Sequence, residues 1–225
     1  MTRPMSVLRA TGAIAALGAL AFAPHIAQRP TAAQARTAAT TAGAAPASIA
    51  DVAVGRARLH VIAGHRASVR GRVAPALPGR RVLLERRTRR GWHAIDDART
   101  GAGGRFAVRF RPRRAVSARV RVRAGASRTP VGRLNVYRHA RVSWYGPGLY
   151  GNRLGCGGRL TTRTLGVAHK TLPCGTKVTL RYRGRSVRVP VVDRGPYVAG
   201  REFDLTAATK RRLGFEGVHT IMVTR

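Results

Sequence analysis

Four carboxylates follow Arg141: Asp193, Glu202, Asp204 and Glu216. They stand in a segment crowded with arginine, and a carboxyl group placed beside turns and apolar residues can give up a proton and take one back. Asp193 ends a strand-like run and opens Asp193-Arg194-Gly195-Pro196-Tyr197, while Asp204 sits in Phe203-Asp204-Leu205-Thr206 at the entry to a helix-like stretch. Each also has an ordinary structural explanation. Asp204 suits a helix cap or first turn, and Asp193 suits a turn in which it pairs with Arg194.

The elements that must position these groups are legible as alternation and punctuation. Val142-Ser143-Trp144-Tyr145 reads as a strand that runs into a glycine-rich stretch, 146–158. Val178, Leu180 and Tyr182 share one face of a strand that turns at Arg183-Gly184 and returns through Ser186 to Val192, giving a hairpin that ends at Asp193. Pro190 cannot donate to a ladder and is expected on an edge or at a bulge. Leu205 to Leu213 reads as a helix capped by Thr206 and stopped by Gly214, and Val218 to Val223 as a closing strand.

Between 51 and 137, runs of about six residues alternate with period two and are bounded by Gly and Pro turns; examples are Ala57 to Ile62, Ser68 to Val73, Arg81 to Glu85, Arg105 to Phe110 and Ala118 to Arg123. That pattern predicts an antiparallel sandwich with one face of each sheet buried, and Trp92 is expected against its core. The turn Thr100 to Phe106 loosely resembles one in bacterial immunoglobulin-like modules, so 51–137 is read as an immunoglobulin-like β-sandwich serving as a spacer or wall-binding module.

The chain has 225 residues with 43 basic and 8 acidic side chains, a formal charge of +35 that draws in polyanions at ordinary ionic strength. Arginine is spread through every segment without stacking aromatics or a groove-reading helix, so nucleic acid is not an expected partner. Arg3 and Arg9 supply a positive segment before an apolar run from Thr11 to Ala23, followed by Ala33-Gln34-Ala35, which reads as a secretory signal over 1–35. That run is too short to span a bilayer, so no stable membrane insertion is expected after cleavage. Residues 36–50 have too little apolar bulk to order and read as a disordered linker. In an exported chain the two cysteines, Cys156 and Cys174, favour a disulfide; metal ligation is the weaker alternative, since no His pair accompanies them. No metal or cofactor is expected.

Taken together, the C-terminal motifs are far more specific than any one alone. Ser143-Trp144-Tyr145-Gly146, Ala168-His169-Lys170-Thr171-Leu172-Pro173, Gly175-Thr176-Lys177-Val178, Val192-Asp193-Arg194-Gly195-Pro196-Tyr197 and Phe203-Asp204-Leu205-Thr206 occur in the order found in the rare lipoprotein A family. Residues 141–225 resemble that family almost end to end. The resemblance implies a six-stranded double-psi β-barrel with one short helix, shared with expansins and barwin-like domains, so that the chain as a whole is all-β.

The resemblance further implies a groove that binds peptidoglycan glycan strands. Some family members are lytic transglycosylases, which cleave between N-acetylmuramic acid and N-acetylglucosamine and leave a 1,6-anhydro end. On that pattern Asp193 is the catalytic carboxyl and His169 an orienting or substrate-contacting group. Ser143, Tyr145, Tyr197 and Asp204 then bind substrate. The sequence departs from the lytic pattern at Gly157-Gly158-Arg159, where such members carry Gly-Glu-Arg. A non-catalytic, expansin-like binder or loosener of wall glycans is therefore the competing reading, and anionic wall polymers are a further partner class under either. Both readings place the protein outside the cell or in its envelope.

Overall fold

Alternating Val, Ala and Leu on short strands force burial of one face of each sheet, and the chain meets that demand twice. The computed structural model describes residues 51–225, so the expected signal segment and linker lie outside the described residues. The first eight strands are β1 (Asp51–Arg58), β2 (His60–Ile62), β3 (Ala67–Ala74), β4 (Arg81–Thr88), β5 (Gly91–Arg99), β6 (Arg105–Phe110), β7 (Val116–Ala124) and β8 (Ser127–Tyr145). One sheet has the order β1-β3-β6; facing it, β5, β4, β7 and β8 pair in succession, with β2 running parallel to β8. Between the sheets lies an apolar core that includes Val69, Val73, Phe106 and Val108 from the first and Val82, Leu84, Val122 and Val136 from the second.

Two expectations are corrected here. The run Ala57 to Ile62 is not one strand: it breaks at Leu59, with β1 pairing β3 and β2 crossing to β8. The alternation survives this switch, which is why the sequence hides it. Trp92 is not part of the sandwich core; it is half-buried on β5 with the Arg121 guanidinium 4.2 Å from its ring centroid. Cation–π contact and the arginine's alkyl stem cover the ring instead of core packing.

The remaining elements are β9 (Val167–Ala168), β10 (Lys177–Tyr182), β11 (Arg185–Asp193), β12 (Phe203–Thr206), α1 (Ala207–Leu213) and β13 (His219–Val223). Their order β12-β9-β11-β10-β13-β8 closes on itself because β12 also pairs with β8, giving a six-stranded barrel. The β8–β12 and β9–β11 pairs are parallel and the other neighbours antiparallel. Closure leaves no free edge. The barrel is filled by a second core that includes Val142, Val178, Leu180, Val191, Phe203, Leu205, Leu213 and Phe215.

Strand β8 serves both cores, pairing β7 through Ser127–Val136 and β13 through Arg138–Val142. Arg183 and Gly184 turn the β10–β11 hairpin at φ 44 and 80, as a two-residue hairpin of primed type requires. Pro190 sits opposite Lys177, one residue before β9 begins to pair with β11 at Val191, so its missing N–H faces no partner strand. Thr206 caps α1 by accepting from Thr209 N, and Gly214 ends it in the left-handed conformation, as the sequence indicates. Leu205 and Thr206 belong to β12 rather than to the helix.

Candidate functional site: a two-carboxylate row across the barrel

Strand register builds the site. Asp193 is the register partner of Ala168, Ala168 of Asp204, and Asp204 of Ser143, so four residues on β11, β9, β12 and β8 form one row across the barrel. Register partners project to the same side of a sheet, and Phe203 and Leu205, on either side of Asp204, are buried in the barrel core. The row therefore points away from that core. Ala168, with a single methyl group, lies between the two carboxylates.

Each carboxylate is tethered differently. Asp193 Oδ1 accepts from Gly155 N at 2.7 Å and Arg194 N at 2.8 Å, whereas its Oδ2 accepts no hydrogen bond among the described residues. One oxygen is thus fixed by two backbone N–H groups, and the Tyr145 phenol stands close enough to the carboxyl to add to its hydrogen bonding. Asp204 Oδ1 accepts from Ser143 Oγ, which in turn accepts from Arg201 Nη1 at 2.8 Å. The Ser143 hydroxyl is committed to Asp204, and the chain Arg201–Ser143–Asp204 locks that carboxyl in place.

Tyr145 lies two residues beyond Ser143 on the same strand and hence on the same face. Its Oη is buried without a hydrogen-bond partner. Burial pushes the phenol pKa up, the charge of Asp193 and a hydrogen-bonding contribution from its carboxyl add to the effect, and the charge of Asp204 adds last. The hydroxyl therefore feels both carboxylates, Asp193 more strongly than Asp204. Tyr197 is the opposite case, 81 % exposed beyond Pro196 and available as a flat apolar platform. Leu149, Tyr150 and Val198 are also exposed in loops of the barrel.

The His169 side chain makes no hydrogen bond to the Asp193 carboxyl among the described residues. Its ring packs on the core residue Phe203 at a centroid distance of 4.6 Å, and its Nδ1 accepts from Thr171 N at 3.1 Å and Leu172 N at 3.0 Å. Burial lowers its pKa; Arg138, Arg194 and Lys170 push the same way and Glu202 opposes them. The link to Asp193 runs through the backbone, with His169 N donating to Asp193 O at 3.2 Å. The ring therefore shapes the 169–172 loop from behind the row.

Arg194 does not pair with Asp193 through its side chain. Its guanidinium donates to His169 O at 3.2 Å and Leu172 O at 2.8 Å and lies 3.0 Å from Cys174 Sγ. Only its backbone N–H serves Asp193. Cys156 and Cys174 form a disulfide, which ties the Gly155 loop to the Leu172 loop; Cys156 N also donates to Val192 O at 3.2 Å. Among the described residues no cluster of His, Cys, Asp and Glu has metal-binding geometry.

Three contributors were invisible in the linear sequence. Gly155 reaches Asp193 only because it lacks a side chain: a Cβ there would stand 3.1 Å from Asp193 Oδ1 and 2.8 Å from Arg194 Cγ. Arg201 reaches Ser143 only through the β8–β12 pairing. Ala168 becomes the floor of the row only through register. The glycine of this set stands one residue before Cys156, and that adjacency to a bridged cysteine was the signal available.

A closed six-stranded barrel with the parallel pairs β8–β12 and β9–β11 and its other neighbours antiparallel belongs to the double-psi β-barrel class. Residues 138–224 match the family described as lytic transglycolase. Similar proteins include the probable endolytic peptidoglycan transglycosylase RlpA of Synechocystis, 48% identical over 75 residues that cover 32% of this chain and 23% of the relative. The corresponding Aquifex aeolicus protein is 41% identical over 80 residues, 35% of each chain. The endolytic peptidoglycan transglycosylase RlpA of Campylobacter jejuni is 47% identical over 67 residues, 29% of this chain and 24% of the relative. The C-terminal domain is thus an RlpA-like double-psi β-barrel. The chain spans only about a quarter to a third of the length of these relatives.

Proposed function

We propose that the barrel is a peptidoglycan lytic transglycosylase acting in the cell envelope, with Asp193 as its acid and base. The observation that carries this reading is the asymmetry of the Asp193 carboxyl, one oxygen held by two backbone N–H groups and the other without a protein partner, at the edge of a row that also holds Asp204 and Ser143. A glycan strand lying along the row places a glycosidic oxygen at Oδ2. Protonated Asp193 donates to that oxygen, the C1–O bond breaks, and positive charge builds on the sugar ring. The 6-hydroxyl of the same N-acetylmuramic acid then attacks C1 and returns its proton to Asp193, closing the 1,6-anhydro ring without consuming water.

The other residues take supporting parts in this proposal. Asp204, held by Ser143 and Arg201, lies across Ala168 from Asp193 and offers a fixed negative charge to the developing cation. Tyr145 Oη offers a hydrogen bond to substrate between the two, and Tyr197 stacks on a sugar ring. His169 is a positioning residue. In the same proposal residues 51–137 serve as a spacer or wall-binding module and 141–225 as the working domain. No helix among the described residues is long and apolar enough to cross a membrane.

One observation favours the non-catalytic alternative: the loop Gly157-Gly158-Arg159 presents no carboxylate, and Gly158 adopts φ 77, a conformation suited to glycine. A binder would use the same row to hold glycan without cleaving it. Incubation with peptidoglycan decides between them. Soluble glycan released by the wild type and not by Asp193→Asn supports the enzyme, whereas pelleting with the wall and no release supports the binder.

A further inference from the structure

The Cys156–Cys174 disulfide lies at the surface of the barrel, with Cys156 half-buried against the edge of the core and Cys174 exposed. An exposed disulfide is open to attack by an external thiolate, which a buried one is not. A cation stands beside the exposed sulfur: Arg194 Nη2 is 3.0 Å from Cys174 Sγ, and the same guanidinium is pinned by its bonds to His169 O and Leu172 O. Fixed positive charge next to a sulfur stabilises its thiolate. The chain has no other cysteine, so a bridge opened by reduction can re-form only between the same two sulfurs within one molecule.

The bridge is also what holds the Asp193 donor in place. Residues 153–160 reach the strands of the barrel through two hydrogen bonds, Gly155 N to Asp193 Oδ1 at 2.7 Å and Cys156 N to Val192 O at 3.2 Å, and through the disulfide beside them. Their remaining hydrogen bonds stay inside the loop, as in Leu154 N to Gly158 O, Gly157 N to Leu154 O and Leu160 N to Asn152 O. Cys156 is followed by Gly157 and Gly158 at φ 93 and 77, so the backbone there has little stiffness of its own. At the other end Gly175 N donates to Val191 O at 2.8 Å, anchoring Cys174 to the strand that carries Asp193. The disulfide therefore ties a soft loop to a fixed one.

We propose that Cys174 is a thiol-exchange site at which a dithiol reductant opens the bridge and thereby releases the Gly155 loop from Asp193. The reductant's thiolate attacks Cys174 Sγ, the bond to Cys156 Sγ breaks, and the electron pair leaves on Cys156, which takes up a proton. The reductant's second thiolate then attacks its own sulfur in the mixed disulfide and expels Cys174 as a thiolate beside Arg194. Two electrons pass from the dithiol to the protein, leaving two protein thiols and an oxidised reductant. Any effect on glycan cleavage rests on the lytic reading of the barrel, but the exchange and the release of Gly155 do not.

Two measurements on the full wild-type chain and one on a variant test this. Brief exposure to glutathione, an acid quench and mass spectrometry of tryptic peptides locate the mixed disulfide, since Cys156 and Cys174 fall in separate peptides; the adduct is expected on Cys174. Hydrogen exchange before and after treatment with dithiothreitol reads the Gly155 amide, which is expected to exchange about tenfold faster or more in the reduced protein and to regain protection on reoxidation. Arg194→Gln is expected to slow reduction by dithiothreitol about tenfold. An adduct on Cys156, or a Gly155 amide equally protected with and without the bridge, would overturn the proposal, and both results stand on the wild type even if the variant does not fold. Reduction of a folded Arg194→Gln at the wild-type rate would likewise overturn the part assigned to Arg194. Lytic turnover is followed in parallel; if the wild type shows none in either redox state, the lytic reading fails while the exchange site is still decided by the adduct and the amide.

Discussion

The Gly155 amide donates to Asp193 Oδ1 at 2.7 Å, joining a glycine-rich loop to the carboxyl that ends β11. A Cβ at 155 would press on both Asp193 and Arg194, so a larger residue forces these neighbours to shift. The substitution Gly155→Ala is expected to move the carboxyl by a fraction of an ångström and lower any lytic turnover by about tenfold to a hundredfold, with little change in melting temperature. Parallel turnover and thermal-melt measurements check this; a large drop in melting temperature with turnover per folded molecule intact would assign the glycine a merely structural role.

Tyr145→Phe separates stability from function. Because the Oη is buried without a partner, removing it relieves a desolvation cost of about 1–3 kcal/mol, so the variant is expected to be as stable as the wild type or more so. Glycan binding or cleavage is expected to fall, since the hydroxyl is then reserved for substrate. Chemical denaturation and a binding assay read the two effects separately.

The Cys156–Cys174 bridge closes a loop with a sequence separation of 18. Its replacement by two serines is expected to cost roughly 3 kcal/mol in the chain-entropy account, measured by urea unfolding. Because Gly155 adjoins Cys156, part of the loss should also appear at Asp193 as reduced turnover under conditions where the variant stays folded.

His169 gives a pH signature. Its pKa is lowered in the folded protein, chiefly by burial, so the unfolded chain binds the proton more readily. Stability from this group is present above the unfolded value of about 6.5 and is lost as pH falls through the lower folded value. Protonation would also break the two bonds that Nδ1 accepts from Thr171 N and Leu172 N. The stability difference between wild type and His169→Gln is expected to shrink as pH falls below about 6.5; a difference constant with pH would remove His169 titration from the account.

Much of the barrel was legible because its signals are local. The β10–β11 hairpin shows in the alternation of Val178, Leu180 and Tyr182 and in Arg183-Gly184, and the helix shows in Thr206 and Gly214. The order of motifs pointed to the family resemblance and, through it, to Asp193, Asp204 and Ser143 as candidates. What stayed hidden depends on pairing between distant strands. Leu59 turns the chain from one sheet to the other without breaking the alternation, and Trp92 finds Arg121 across the sheet rather than a core. The direction of the His169 ring likewise follows from Phe203, 34 positions away, and the true partners of Arg194 are carbonyls on another loop.

The central claim is that Asp193 gives its proton to the glycosidic oxygen and takes one back from the sugar's own 6-hydroxyl. Digestion of peptidoglycan, intact and stripped of stem peptides, followed by mass spectrometry of the soluble products tests it directly. Products ending in 1,6-anhydro-N-acetylmuramic acid, present with the wild type and absent with Asp193→Asn, are the expected result. Reducing-end products one water heavier, or anhydro products that persist with Asp193→Asn, would contradict it.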